Sequence, residues 1–77
     1  MGGLPIPTPC FLDELEVFGV RGHRKIWRSL DGTFFYSWDS LHGEIEVFNK
    51  RGRHMGSLDA KSGEYIKDPV KGRKINV

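Results

Sequence analysis

One imidazole and three carboxylates fall within eight positions of this chain, in the run Asp39-Ser40-Leu41-His42-Gly43-Glu44-Ile45-Glu46. Such a set can take a proton from one hydroxyl and return one to a leaving group, which is general acid–base chemistry. Cleavage of RNA by transesterification asks for little more, because the ribose 2′-hydroxyl is itself the nucleophile. A protein must supply a base for that hydroxyl, an acid for the departing 5′-oxygen and a cation for the charge on the phosphorane. Here Glu44 or Glu46 could be the base and His42 the acid, with a Lys or Arg as the cation. Asp39, three residues before His42 across an expected bend, could hold the other ring nitrogen and raise the imidazole's pKa. The scheme requires no metal and no cofactor.

The element that must position these groups is a strand. Residues 42–48 alternate so that His42, Glu44, Glu46 and Phe48 share one face, while Ile45 and Val47 anchor the other in a core. In a straight strand the Cα atoms of His42 and Glu46 lie roughly 13 Å apart and those of His42 and Glu44 about 6.6 Å. Spacing alone therefore favours Glu44 as the base. His42 and Glu46 can flank one phosphate only if the ribbon curves strongly or the side chains lean together. The bland alternative is a solvated polar face, with Asp39 merely ending the preceding strand at a turn.

The remaining signals are strands and turns. Pro5, Pro7 and Pro9 make an extended lead, and Thr8 with Pro9 could open a short helix running through Leu15. Strands are expected at Glu16–Val20, Lys25–Ser29, Thr33–Trp38, Gly43–Phe48, Arg53–Leu58, Glu64–Lys67 and Lys74–Val77. Asp31-Gly32 is a hairpin signal, and Asn49–Gly52 and Asp59–Gly63 are further turns. Phe34, Tyr36 and Trp38 share a face opposite Thr33, Phe35 and Ser37. Strands joined by short turns describe an antiparallel meander, so the expected fold is mainly β: one small, highly twisted sheet with a short N-terminal helix.

Seventy-seven residues make one small domain, which buries about 60–65% of its unfolded surface. The single Cys10 excludes an internal disulfide, and no apolar run approaches the roughly 18–20 residues of a membrane span. Net charge is +2 but unevenly spread: residues 1–20 carry three acidic groups and no Lys or Arg, whereas residues 21–77 carry all twelve Lys/Arg against seven Asp/Glu. That asymmetry suits a polyanion-facing surface on the larger part, with general solubility as the plain alternative. The aromatics are expected in the core rather than as base-stacking platforms, since so small a domain needs them for burial. Lys50, Arg51 and Arg53 form a basic hairpin tip suited to phosphate. His23 and His54 read as surface residues. A zinc site from Cys10, His23, His42 and His54 lacks any close ligand pair.

The run Tyr36-Ser37-Trp38-Asp39-Ser40-Leu41-His42-Gly43-Glu44-Ile45-Glu46, followed by Gly56-Ser57-Leu58-Asp59-Ala60-Lys61-Ser62-Gly63 and the basic ending Lys71-Gly72-Arg73-Lys74-Ile75, resembles a known family. It is similar to the cytotoxic ribonuclease domain of cloacin and the ribosome-inactivating colicins, also found at the tips of some contact-dependent inhibition toxins. The resemblance covers Arg24 to the C-terminus, 54 of 77 residues. It implies cleavage of 16S ribosomal RNA in the decoding centre of the small subunit, which halts translation. It also implies Glu46 as general base, His42 as acid, Asp39 as a third catalytic residue, taken here to support His42, and Arg73 stabilising the phosphorane; the spacing itself keeps Glu44 as a possible participant or substitute base. Lys50, Arg51, Arg53, Lys71 and Lys74 would hold the RNA by its phosphates. Implied partners are the ribosome and a small acidic immunity protein, with no membrane contact by this domain. The implied location is a secreted or surface-delivered toxin acting in the cytoplasm of a target bacterium.

Three departures from the family pattern stand out. Leu41 replaces a polar residue, Phe48 replaces a Tyr, and residues 1–23 lack the family's basic, glycine-rich lead. The chain thus divides into a lead at 1–23, a candidate inhibitor-contact segment, and a toxin core at 24–77. If Arg73 is catalytic, the last strand must begin after it or bend there. Two further classes of function compete with the enzyme: a non-catalytic RNA- or ribosome-binding β module, and a protein-interaction domain.

Overall fold

The computed structural model describes residues 3–22 and 24–75. It contains six strands: β1 (Glu16–Arg21), β2 (Arg24–Arg28), β3 (Phe34–Asp39), β4 (Glu44–Asn49), β5 (His54–Asp59) and β6 (Tyr65–Lys67). All lie in one sheet in the order β1-β2-β3-β4-β5-β6, each antiparallel to its neighbour, so the fold is the expected meander. The molecule measures 28 × 25 × 25 Å. A flat layer of six strands would be thin in one direction, so near-equal dimensions reflect a sheet strongly twisted on itself. Among the described residues no helix is long and apolar enough to cross a membrane.

Each expected strand is present within a residue or so, except the last. In place of a strand at Lys74–Val77 there is a single bridge pairing Arg53 with Lys74, and residues 76 and 77 lie outside the described residues. The expected helix contracts to one 3-10 turn, Phe11–Glu14, beginning after Cys10 instead of at Pro9. Tertiary anchoring decides its place. The Phe11 N–H donates to the Ala60 carbonyl at 2.7 Å, and the Asp13 carboxylate takes the Cys10 N–H at 2.9 Å. Leu15 is already extended, which delivers the chain into β1.

The sheet separates two kinds of packing. On one face Leu12, Trp27, Tyr36, Ile45, Val47 and Leu58 form the main core, with the 3-10 turn laid over it and Phe34 and Trp38 at its margin. The aromatics of β3 serve burial here, as expected, and Phe11 meets Tyr36 edge-on. The opposite face has a smaller cluster of Ile26, Phe35 and Phe48, joined by Phe18 and Ile75. The rest of that face is polar. Its central row, read across strands β2 to β6, is Ile26, Ser37, Glu46, Ser57 and Lys67.

Turn chemistry fixes these registers. Asn49 caps the β4–β5 turn through its side-chain oxygen, which accepts from the N–H groups of Arg51 and Arg53. Asp59 does the same for Lys61 and Ser62 in the β5–β6 turn. The ladder between β4 and β5 carries a bulge at Met55, because Val47 faces Gly56 but Phe48 faces His54. Ile45 is fully buried at the centre of the main core. Ile45→Val should therefore lower unfolding free energy by about 0.5–1.5 kcal/mol, read as a reduced urea midpoint with an unchanged m-value.

Candidate active site

The acid–base run folds as a hairpin turn feeding a strand, and Asp39 builds that turn. Its Oδ1 accepts from the N–H groups of Leu41 (3.0 Å) and His42 (3.2 Å), and the Gly43 N–H donates to the Asp39 carbonyl at 2.8 Å. Gly43 completes the reversal at φ 69°, a conformation that a side chain disfavours. His42 is thus on the turn, not on the strand as its alternation suggested, and β4 begins at Glu44. The second oxygen of Asp39 meets the His42 ring: Oδ2 lies 2.8 Å from Nδ1. One carboxylate therefore shapes the turn with one atom and orients the imidazole with the other, and Nε2 has no hydrogen-bond partner among the described residues. Burial raises the Asp39 pKa, but the hydrogen bonds from the His42 ring and backbone outweigh it and hold the carboxyl below its ordinary value.

Glu46 lies two positions into β4 and is 3% exposed. Its cross-strand neighbours, Ser37 and Ser57, are small and buried, so the carboxylate has room to be approached from both ends of the sheet. Arg73 Nη1 donates to Oε1 at 2.6 Å and Arg24 Nη2 to Oε2 at 2.8 Å. The ring of His54 completes the surround, with Nε2 3.4 Å from Oε1. Arg73 reaches this point because the C-terminal segment docks beside β5: the His54 N–H donates to the Arg73 carbonyl and the Ile75 N–H to the Gly52 carbonyl. A turn closed by the Arg73 N–H on the Val70 carbonyl precedes it, so Arg73 stands before the Arg53–Lys74 bridge and escapes the strand parity of Ile75.

These groups share one cleft. Arg24, Asp39, His42, Glu46 and Arg73 line a cavity of about 320 Å³. An adjoining hollow of about 200 Å³ shares Asp39, His42 and Arg73 and adds Glu44, His54 and Lys67. Glu44 lies 2.9 Å from the Lys67 ammonium at the border of that hollow. Asp39, His42 and Glu44 each bring one potential metal-ligand atom within 4.8 Å of the others, the one such group among the described residues. Arg53, Lys71 and Lys74, with Arg73 and His54, line a basic cavity of about 390 Å³. Lys50 and Arg51 are exposed on the β4–β5 turn outside that cavity.

His54 corrects one expectation. It is buried, not a surface residue, because the bulge at Met55 turns it onto the polar face, where it packs edge-on against Phe48 at 5.4 Å. Its partner in the other direction is the Val70 N–H, which donates to Nδ1 at 2.9 Å. That bond requires a lone pair on Nδ1, so the neutral ring carries its proton on Nε2, facing Glu46. Arg24 is the second residue that the sequence did not single out. Its signal lies in register: Ile26 pairs with Ser37 and Ser37 with Glu46, which brings Arg24 diagonally within reach.

The chain matches the family model described as Cytotoxic over residues 14–76 and belongs to that family, the colicin-type cytotoxic ribonuclease domains. Colicin E3 of Escherichia coli is 44% identical over 55 residues, covering 70% of this chain and 10% of that protein. Colicin E6 of Escherichia coli is 40% identical over 58 residues, 74% of this chain and 10% of that protein. Cloacin of Escherichia coli is 38% identical over 58 residues, with the same coverage. This chain thus spans about a tenth of each relative. The match begins at residue 14 and so takes in β1, ahead of the start at Arg24 on which the motif resemblance rests.

Burial lowers the His54 pKa, Glu46 pulls it up and Arg73 pushes it down, leaving it below the ordinary 6.5. The unfolded chain then binds a proton that the native ring refuses. Stability contributed by the neutral ring is complete above about pH 6.5 and declines as pH falls from there towards the folded-state pKa. The His54 ring should titrate below 6.5 by NMR, with the proton of the neutral form on Nε2. The urea midpoint should fall from pH 7.5 to pH 5.5, and less steeply in His54→Gln. A His54 titration above the ordinary value would contradict this assignment.

Proposed function

We propose that this domain is a toxin ribonuclease that cleaves 16S ribosomal RNA in the decoding centre by metal-independent transesterification. The observation that carries the reading is the shared cleft, in which His42 and Glu46 line one cavity together with two guanidinium groups. Glu46 takes the proton of the ribose 2′-hydroxyl, whose oxygen attacks the adjacent phosphorus. Arg24 and Arg73, already converged on this point, receive the charge that develops on the phosphorane oxygens. His42, protonated and held at Nδ1 by Asp39, gives its Nε2 proton to the departing 5′-oxygen. The products are a 2′,3′-cyclic phosphate and a 5′-hydroxyl.

Glu46 is preferred over Glu44 as base because its carboxylate is buried, fixed by several partners and placed in the cleft with both His42 and the arginines. Arg53, Lys71 and Lys74 extend the cationic surface from Arg73, and Lys50 and Arg51 add to it at the turn, so the RNA backbone would be held by phosphate contacts. A small acidic immunity protein is the matching inhibitor, covering this basic face in the cell that makes the toxin. Delivery from outside and action in the cytoplasm of a target bacterium are part of this reading, which the family membership supports. On this reading residues 24–77 form the catalytic core, and residues 1–23 are a lead offering a further inhibitor contact.

Purified ribosomes incubated with the domain should yield one discrete fragment from the 3′ end of the small-subunit RNA, in chelator as well as without it. His42→Ala and Glu46→Ala should each lower the rate by about 10²–10⁴-fold while remaining folded. A dead Glu44→Ala beside an active Glu46→Ala would transfer the base role to Glu44. Loss of cleavage in chelator would instead assign a metal to Asp39, His42 and Glu44. Ribosome binding should weaken steadily as salt rises, because neutralised phosphates release counterions. Binding indifferent to salt would remove the basic surface from the account.

A further inference from the structure

A second pocket, of about 370 Å³, opens beside the His42 turn and shares Arg24, Asp39 and Leu41 with the catalytic cleft. Its apolar walls are Ile6, Trp27, Trp38 and Leu41. Leu41 is 78% exposed at its rim, an apolar side chain that no packing within the described fold explains. Hydrogen bonds hold the Trp38 wall in place. The Trp38 indole N–H donates to the Leu4 carbonyl at 2.9 Å, and the Leu4 N–H donates to the Ser40 carbonyl at 2.7 Å, tying lead, indole and turn together. The Lys25 ammonium lies 5.1 Å from the centre of the Trp27 ring, so cations stand at the margin. Aromatic and apolar walls beside positive charge, with Arg24, Asp39 and Leu41 shared with the cleft that would handle the phosphate, suit a flat heterocycle attached to a phosphate.

We propose that this pocket is a subsite for the nucleobase on the 3′ side of the cut. The assignment of side rests on the transesterification reading. His42 delivers its proton to the 5′-oxygen of the 3′ nucleotide, so that nucleotide lies against the turn that carries His42 and borders the pocket. It bears the scissile phosphate on its own 5′-oxygen. A nucleoside 5′-monophosphate therefore reproduces it, with phosphate in the cleft and base in the pocket, whereas a 3′-monophosphate presents the opposite arrangement.

The test uses the full chain with inorganic phosphate, adenosine 5′-monophosphate and adenosine 3′-monophosphate as probes, followed by calorimetry and tryptophan emission. Ribosomal RNA cleavage is assayed on the same preparation. The 5′-monophosphate should bind at least about fivefold more tightly than phosphate or the 3′ isomer, the low end of what base stacking on aromatics contributes, and should quench indole emission. The exposed-residue double variant Ile6→Ser with Leu41→Ser should collapse the ratio between 5′-monophosphate and phosphate towards one. Equal binding of the two isomers, no advantage over phosphate, or an advantage that survives the double variant would each overturn the subsite. Cleavage without a 5′ preference sinks the subsite and spares the ribonuclease reading. A 5′ preference without cleavage does the reverse, leaving a nucleotide site.

Discussion

A carboxylate that is 3% exposed has to be compensated, and the arrangement around Glu46 is the constraint on which this small protein turns. An uncompensated buried charge costs several kcal/mol, so Glu46 commits the fold to delivering partners. They come from distant parts of the chain: Arg24 lies 22 residues upstream and Arg73 27 residues downstream. The β2–β3–β4 registers bring the first, and docking of the C-terminal segment beside β5 brings the second. Stability and site are thereby linked in both directions. The same guanidinium groups that satisfy Glu46 also line the cleft beside His42.

The two faces of the sheet divide the work. Most apolar burial lies on the face covered by the 3-10 turn, where Ile45, Val47, Trp27 and Leu58 make the main core. Among the described residues the other face keeps Ile26, Phe35 and Phe48 as its buried apolar residues and gives most of the remainder to polar groups. Strand alternation makes this possible in so short a chain: on β4, Ile45 and Val47 anchor the main core while Glu44 and Glu46 lie on the polar face. Phe48 marks the boundary: it packs against His54 and closes the apolar patch next to Glu46.

Local patterns carried most of the fold. The six observed strands follow alternation and turn residues that can be read directly, and Asp39 and Gly43 specify their hairpin within five positions. Features that depend on residues far apart were harder to read. The short helix shrank because its start is set by a hydrogen bond to Ala60, and among the described residues the expected final strand is represented by the Arg53–Lys74 bridge. His54 looked exposed because simple parity holds only without a bulge, and nothing local announces the extra residue at Met55 beyond Gly56 beside it. The straight-strand spacings from His42 to Glu44 and Glu46 do not apply, because His42 leaves the strand for a turn. Arg73 was legible through family resemblance, whereas Arg24 required knowing which strands are neighbours.

The lead segment has a practical side. Leu4 is joined by its backbone to Ser40 and to the Trp38 indole, and its side chain fills the space above Gly43, where an added Cβ would come within 2.8 Å of Leu4 Cδ1. The family match starts only at residue 14. Trimming a recombinant domain to that homology boundary would keep every acid, base and cation of the cleft while cutting the tether on the loop that presents the imidazole. Preparations differing only in their first dozen residues are therefore not interchangeable reagents, and their kinetics belong in separate columns.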